Sequence, residues 1–124
     1  MRRKEKQITD IAEIENIIQR CPVCRLGLSD GTEPYVVPVN FGYQRGTLWL
    51  HSAREGRKIE ILRRNPRVCL EFDLDFELKT GREACSWSAR YRSALAFGTA
   101  TIIDDPALKR RGLDVIMAHY SENP

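Results

Sequence analysis

Apolar residues return at helical spacing near both ends of the chain and at a spacing of two through much of its middle. Ile11, Ile14, Ile17 and Ile18 fall on one helical face. Asp10 stands as the N-cap with Glu13 three residues on, and the helix runs to about Arg20 before Pro22 stops it. Residues 23–29 alternate as a half-buried strand and end in the turn pair Asp30-Gly31. A second strand, 34–43, follows, and Gln44-Arg45-Gly46 turns the chain into a third at 47–52, predicting a three-stranded meander. Residues 56–64 read as a helix with Ile59, Ile61 and Leu62 as its apolar residues, stopped by Asn65-Pro66. A fourth strand is expected at 67–73. Residues 74–88 show mixed charge and no clean period, which reads as a long loop or short hairpin, and loops of that length tend to be functional. A long strand covers 91–103. Asp105 then caps a last helix with Pro106 at its first position and Leu113, Ile116, Met117 and Tyr120 down one side.

The order α, β, β, β, α, β, β, α is dominated by hairpins, so the fold class is α+β, mainly β and antiparallel. No strand runs into a Gly-x-Gly-x-x-Gly helix start, which argues against a Rossmann nucleotide site. At 124 residues the chain suits one domain spanning 1–124, and no Pro-, Gly- or Ser-rich linker divides it. No apolar run is long enough to cross a bilayer, and Met1-Arg2-Arg3-Lys4 leads into polar sequence, so a cytoplasmic protein without a membrane partner is expected. In that setting the four cysteines are expected as free thiols. The net charge of +3 is spread over several segments, which disfavours nucleic acid as a partner. The small clusters, 54–58 with Arg63, Arg64 and Arg67, then Arg90 with Arg92, suit a compact anion such as a phosphate ester.

Residues 51–58 leave a strand and enter a helix, so free backbone N–H groups, the Ser52 hydroxyl and two cations converge there. A helix N-terminus favours a bound anion, whereas Arg57 and Lys58 in its first turn oppose the dipole unless an anion sits between them. On chemistry alone, solvated surface cations and a phosphate site are equal readings of that pair, and Gly56 reads equally as an ordinary turn residue. Cys21-Pro22-Val23-Cys24 invites a thioredoxin-like or zinc reading. The pair follows a helix and enters a strand, the reverse of the redox setting, and Cys69 and Cys85 form no second close pair for zinc, so no metal site is expected.

Taken in order, Met1-Arg2-Arg3 with Ile8-Thr9-Asp10, Val23-Cys24-Arg25-Leu26, the run from Pro34 through Val39 to Tyr43, His51-Ser52-Ala53 with Gly56-Arg57-Lys58, Asn65-Pro66-Arg67-Val68-Cys69, and Tyr91-Arg92-Ser93 with Phe97-Gly98 resemble the pyridoxamine 5′-phosphate oxidase-related flavoproteins, in the branch of the nitroimidazole-resistance reductases. The resemblance implies a split β-barrel homodimer with FMN in the grooves between the copies, acting as an oxidoreductase on a small-molecule electron donor or acceptor. By position, Val36, Val37, Pro38, Val39 and Asn40 would line the isoalloxazine ring, and Ser52, Gly56, Arg57 and Lys58 would hold the phosphate. Arg92 and Ser93 would approach from the partner chain. Taken by themselves, Val36, Val37 and Val39 read as barrel core. Pro38 has no N–H, so its strand should lie at an edge or bulge. His51 matches a histidine near the flavin in related reductases and is the one candidate for a catalytic group, while His119 is expected at the surface. The relatives run on past the last helix into a further strand, so this chain is expected to be a short or an incomplete member, with one barrel edge open or covered differently. A flavin carrier or sensor without turnover is the alternative, because the flavin itself does the redox chemistry and leaves no obligatory acid or base to mark an enzyme.

Overall fold

A computed structural model describes residues 10–121; Met1-Arg2-Arg3, Ile8 and Thr9, which carried part of the resemblance, lie outside them. Helix α1 (Ile11–Arg20) starts where the Asp10 carboxylate accepts the Ala12 N–H at 3.0 Å. Glu13 turns its carboxylate to Arg92 instead, 3.4 Å away. Ile17 and Ile18 are buried and Ile14 packs against the same core, which is the periodicity of the first helix realised.

Strands β1 (Cys24–Ser29), β2 (Pro34–Val39), β5 (Arg67–Lys79) and β6 (Ser88–Thr99) form an antiparallel sheet in the order β2-β1-β5-β6. Strands β3 (Phe41–Gln44) and β4 (Thr47–Leu50) form a separate two-stranded sheet. The single strand expected over 34–43 therefore breaks at Asn40, and the expected meander does not form: β1 pairs with β2 on one side and β5 on the other. The cause is the last helix, α3 (Pro106–Tyr120), which the β3–β4 hairpin turns away to meet. A Cβ at Gly42 would collide with the Val115 carbonyl, and the Trp49 ring lies against Gly112, so two glycines let helix and hairpin backbones come close. Between these layers and α1 lies the core, with Phe41, Phe72, Ile17 and Leu26 fully buried. No helix among the described residues is long and apolar enough to cross a membrane.

The segment expected as a loop at 74–88 is mostly strand. β5 and β6 pair from Arg67↔Thr99 out to Lys79↔Ser88, a long hairpin arm whose tip is a short 3₁₀ turn, Ala84–Ser86, with the Trp87 Nε1–H donating to the Gly81 carbonyl at 2.8 Å. Val68, Leu70, Phe72, Leu74, Phe76 and Leu78 alternate without a break, so the strand was legible in the sequence. Its geometry was not. The register shifts between Leu74 and Glu77, placing Asp75 and Phe76 opposite the single residue Tyr91, and Asp75 adopts φ 58°. That bulge carries Phe76 and Leu78 onto the face opposite Leu74.

Helix α3 begins with the Asp105 carboxylate on the Leu108 N–H at 3.0 Å. Its buried line is Gly112 and Ile116, while Leu113, Met117 and Tyr120 of the expected apolar side are partly open. His119 is not a surface residue. Its Nε2 lies 2.7 Å from the Cys21 carbonyl, its ring sits 4.3 Å from Phe41, and its Nδ1 is buried with no partner. Cys21 and Cys24 are both buried as free thiols, and burial pushes Cys24 up to about 12. A thiol held so far from ionisation inside the core is inert.

Candidate functional site

Helix α2 (Arg57–Arg64) opens at Gly56, whose φ of 126° is a conformation that side chains rarely adopt, and no side chain caps the helix. Its first N–H groups are therefore left for an external acceptor. The Arg57 guanidinium lies over the ring of Tyr35 on β2, 5.5 Å from its centroid, which draws the head of α2 against the edge of the large sheet. Among the described residues neither Arg57 nor Lys58 has a carboxylate in ion-pair range. The Ser52 hydroxyl donates to the Ala53 carbonyl at 3.2 Å, and His51 beside it is exposed just past the end of β4. A depression of about 440 Å³ lies along another flank of α2, lined by Glu55, Gly56, Ile59, Glu60 and Arg63. Its two carboxylates make that flank a poor seat for an anion.

The strand expected to meet a ring divides by face. Val37 and Val39 turn inward to the core, whereas Val36, 67% exposed, and Pro38 turn outward. β2 is an edge strand, which is where a residue without an N–H belongs, and Asn40 at its end is exposed. On that outer face the register sets Val36, Gly27, Cys69 and Phe97 in one row. Gly27 contributes no side chain, so the sheet is shallow between Val36 and Cys69. In the next row stand Pro38, Arg25, Glu71 and Leu95, with Arg25 3.4 Å from Asp73. Burial, and then the neighbouring Asp73, raise the Glu71 carboxyl above its ordinary value.

Arg92 and Ser93 stand apart from this group within one chain. β2 and β6 are opposite edges of the sheet, three strand spacings or roughly 14 Å across. Ser93 shares the outer face with Leu95 and Phe97. Arg92 faces the other way, where its guanidinium grips Asp75 at 2.7 Å and Glu13 at 3.4 Å, with Arg20 on Asp75 at 3.2 Å. Its hydrogen bond to Arg92 holds the Asp75 carboxyl below its usual value. The bulge is thus clamped by charge, and Arg92 positions the arm. Sequence reasoning missed Asp75, His119 and Tyr120 because each works through a distant segment that no local spacing announces.

The profile of the pyridoxamine 5′-phosphate oxidase family matches residues 10–124. Among curated proteins none matches. Among solved structures the chain is similar to a protein described as a candidate 5-nitroimidazole antibiotic resistance protein from Bacteroides thetaiotaomicron. The two are 45% identical with a TM-score of 0.82, over 94% of this chain and 70% of that one. It is also similar to the FAD and haem binding protein from Mycobacterium smegmatis, at 25% identity and a TM-score of 0.82, over 93% of this chain and 56% of that one. An FAD-binding protein from Mesorhizobium loti shares the fold at 24% identity and a TM-score of 0.67, over 94% of this chain and 81% of that one. The chain spans just over half the length of the Mycobacterium protein. On this match and on its antiparallel α+β architecture of split-barrel type, the chain belongs to the pyridoxamine 5′-phosphate oxidase family.

Proposed function

We propose that this chain binds FMN between two copies of itself and works as a flavin-dependent oxidoreductase, with a small molecule as electron donor or acceptor. One observation carries the reading: an uncapped helix start bearing Arg57 and Lys58 is drawn by Tyr35 against an edge strand whose outward residues are apolar. Tyr35 turns inward with Val37 and Val39, so a flavin with its phosphate at Gly56 and its ring over Val36 and Pro38 would reach round the β2 edge that this contact holds beside α2. Relatives described as FAD-binding support a flavin, and the phosphate next to the ring is common to FMN and FAD.

In this reading Ser52, Arg57, Lys58 and the first N–H groups of α2 hold the phosphate, while Val36, Pro38 and Asn40 meet the ring. Val37 and Val39 support the strand from inside, and Ser93 comes from the partner's outer face. His51, exposed at the mouth, is the group in place to hold or move a proton. Bound there, the flavin supplies hydride and single-electron transfer, and the protein orients it and excludes water. The second copy is favoured by the outer face itself. Val36, Phe76, Leu78, Tyr91, Leu95 and Phe97 are each at least half exposed on one side of the sheet and its arm, apolar side chains that a partner would cover.

The test is direct. After incubation with excess FMN and gel filtration the protein should keep absorbance near the flavin band at about 450 nm and run at dimer mass by light scattering. A colourless monomer overturns the proposal. Steady-state assay with NADH or NADPH and an electron acceptor then separates an enzyme from a carrier or sensor, which would show no turnover above free FMN.

A further inference from the structure

The corner where the chain leaves the large sheet for the small one is a single residue, Asn40, between Val39 of β2 and Phe41 of β3. A corner that short has no turn motif of its own. It is held from a distance: the Phe41 N–H donates to the Tyr120 hydroxyl at 3.1 Å, and that hydroxyl donates to the Pro22 carbonyl at 2.6 Å. The hydroxyl thus uses its proton and a lone pair to join three segments, the last turn of α3, the α1–β1 corner and the β2–β3 corner. His119, next to it, binds the Cys21 carbonyl and packs on Phe41, whose ring is fully buried and lies 5.3 Å from Phe72. Phe41 is therefore pinned by ring and by backbone, and Asn40, one residue before it, inherits that position.

We infer that Tyr120 is a positioning residue for the flavin ring: its hydroxyl sets the Asn40 corner so that Asn40 meets the ring edge. The inference rests on the flavin reading above and extends it to a residue that touches neither ring nor phosphate. Tyr120→Phe is the informative change, since it keeps the ring beside His119 at 4.7 Å and removes only the hydroxyl. Without it the Phe41 N–H loses its acceptor and the Pro22 carbonyl its donor, so the corner is no longer tied to α3 through that hydroxyl.

The experiment measures FMN and riboflavin affinity by fluorescence quenching in the wild type, Tyr120→Phe, Asn40→Ala and the double variant, with amide exchange at Phe41 followed by NMR. Tyr120→Phe should weaken FMN and riboflavin by the same factor, about five- to tenfold, the worth of one well-made hydrogen bond, because the defect lies on the ring side. In the Asn40→Ala background it should cost nothing further, and the Phe41 amide should exchange faster in both backgrounds. Unchanged flavin affinity in Tyr120→Phe overturns the inference. So does a loss that simply adds to that of Asn40→Ala, which would mark general damage to the fold. A wild type that binds neither flavin fails the functional reading and takes the inference with it, whereas a wild type that binds both and a variant that matches it fails the inference alone.

Discussion

The two faces of the large sheet both carry large apolar side chains, the outer one interleaved with Arg25, Glu71, Asp73 and Ser93, and those apolar groups meet different fates. On the inner face Leu26, Val68, Leu70 and Phe72 are buried beneath α1 and the β3–β4 layer. On the outer face Val36, Leu95 and Phe97 stand at 61–71% exposure, and the arm adds Phe76, Leu78 and Tyr91 to the same side. The alternation that makes an antiparallel sheet apolar on one side and polar on the other is thus only partly kept, because Val36, Leu95 and Phe97 interrupt an outer face that also carries Arg25, Glu71 and Asp73. The bulge at Asp75 widens the difference, because it takes two large residues out of phase with the inner face and gives them to the outer one. A chain that spends a charge clamp of Glu13, Arg20, Asp75 and Arg92 to hold that switch exposes an apolar surface by construction of its own backbone, and in the proposed reading a second copy and a flavin cover it.

The contrast can be broken in order of effect. Phe72→Ala, on the inner face, empties a fully buried site and should cost about 3–5 kcal/mol in chemical denaturation. Phe97→Asp, across the sheet, should leave the stability of the isolated chain within about 1 kcal/mol yet weaken self-association about a hundredfold, with flavin lost alongside, as sedimentation and absorbance would record. Comparable destabilisation by the two changes would mean that the outer face is core, and a dimer untouched by Phe97→Asp would place the interface elsewhere.

A smaller effect sharpens the chemistry at the β2 edge. Arg57→Ala and Lys58→Ala should each weaken FMN about ten- to a hundredfold by removing charge-assisted hydrogen bonds, with riboflavin nearly unchanged. Calorimetry of both ligands decides: equal losses indicate fold damage, and no loss returns both cations to the solvent.

The smallest effect concerns the clamp. Asp75 has its folded carboxyl below the usual range, so its contribution is present above the unfolded value near 3.9 and is lost as pH falls through the folded one. Asn tolerates the positive φ at that position, which makes Asp75→Asn a charge-only change. The gap in urea midpoint between wild type and Asp75→Asn should be constant from neutral pH to about 5 and close only as pH falls below the unfolded value of about 3.9. A gap that persists in acid would assign the effect to the backbone.

Much of the fold was legible because it is written in local spacing. Asp10 and Asp105 cap the helices expected of them, Gly56 and Pro66 bound α2, and Pro38 lies on an edge strand as its missing N–H requires. The helix start proposed to hold the phosphate was legible as a local feature for the same reason, since Gly56, Arg57 and Lys58 are neighbours in sequence. The run from Val36 to Asn40, proposed to meet the ring, was legible as a strand, but which of its residues face out depends on register with β1.

What the sequence determined by itself is the three helices, most of the strands and their apolar phases; the alternation of Val68 to Leu78 that marks one long strand is there too, although 74–88 was expected as a loop or short hairpin. Tertiary structure decided where those phases point. A bulge of one residue reverses the face of Phe76 and Leu78, a corner of one residue sends β3 to a second sheet, and both are held by partners far along the chain, Arg92 for the one and Tyr120 for the other. A shift of one residue costs a strand little in local energy and changes every side chain's surroundings. Only the contacts that reward one register over the other can choose, and those exist after the chain has folded.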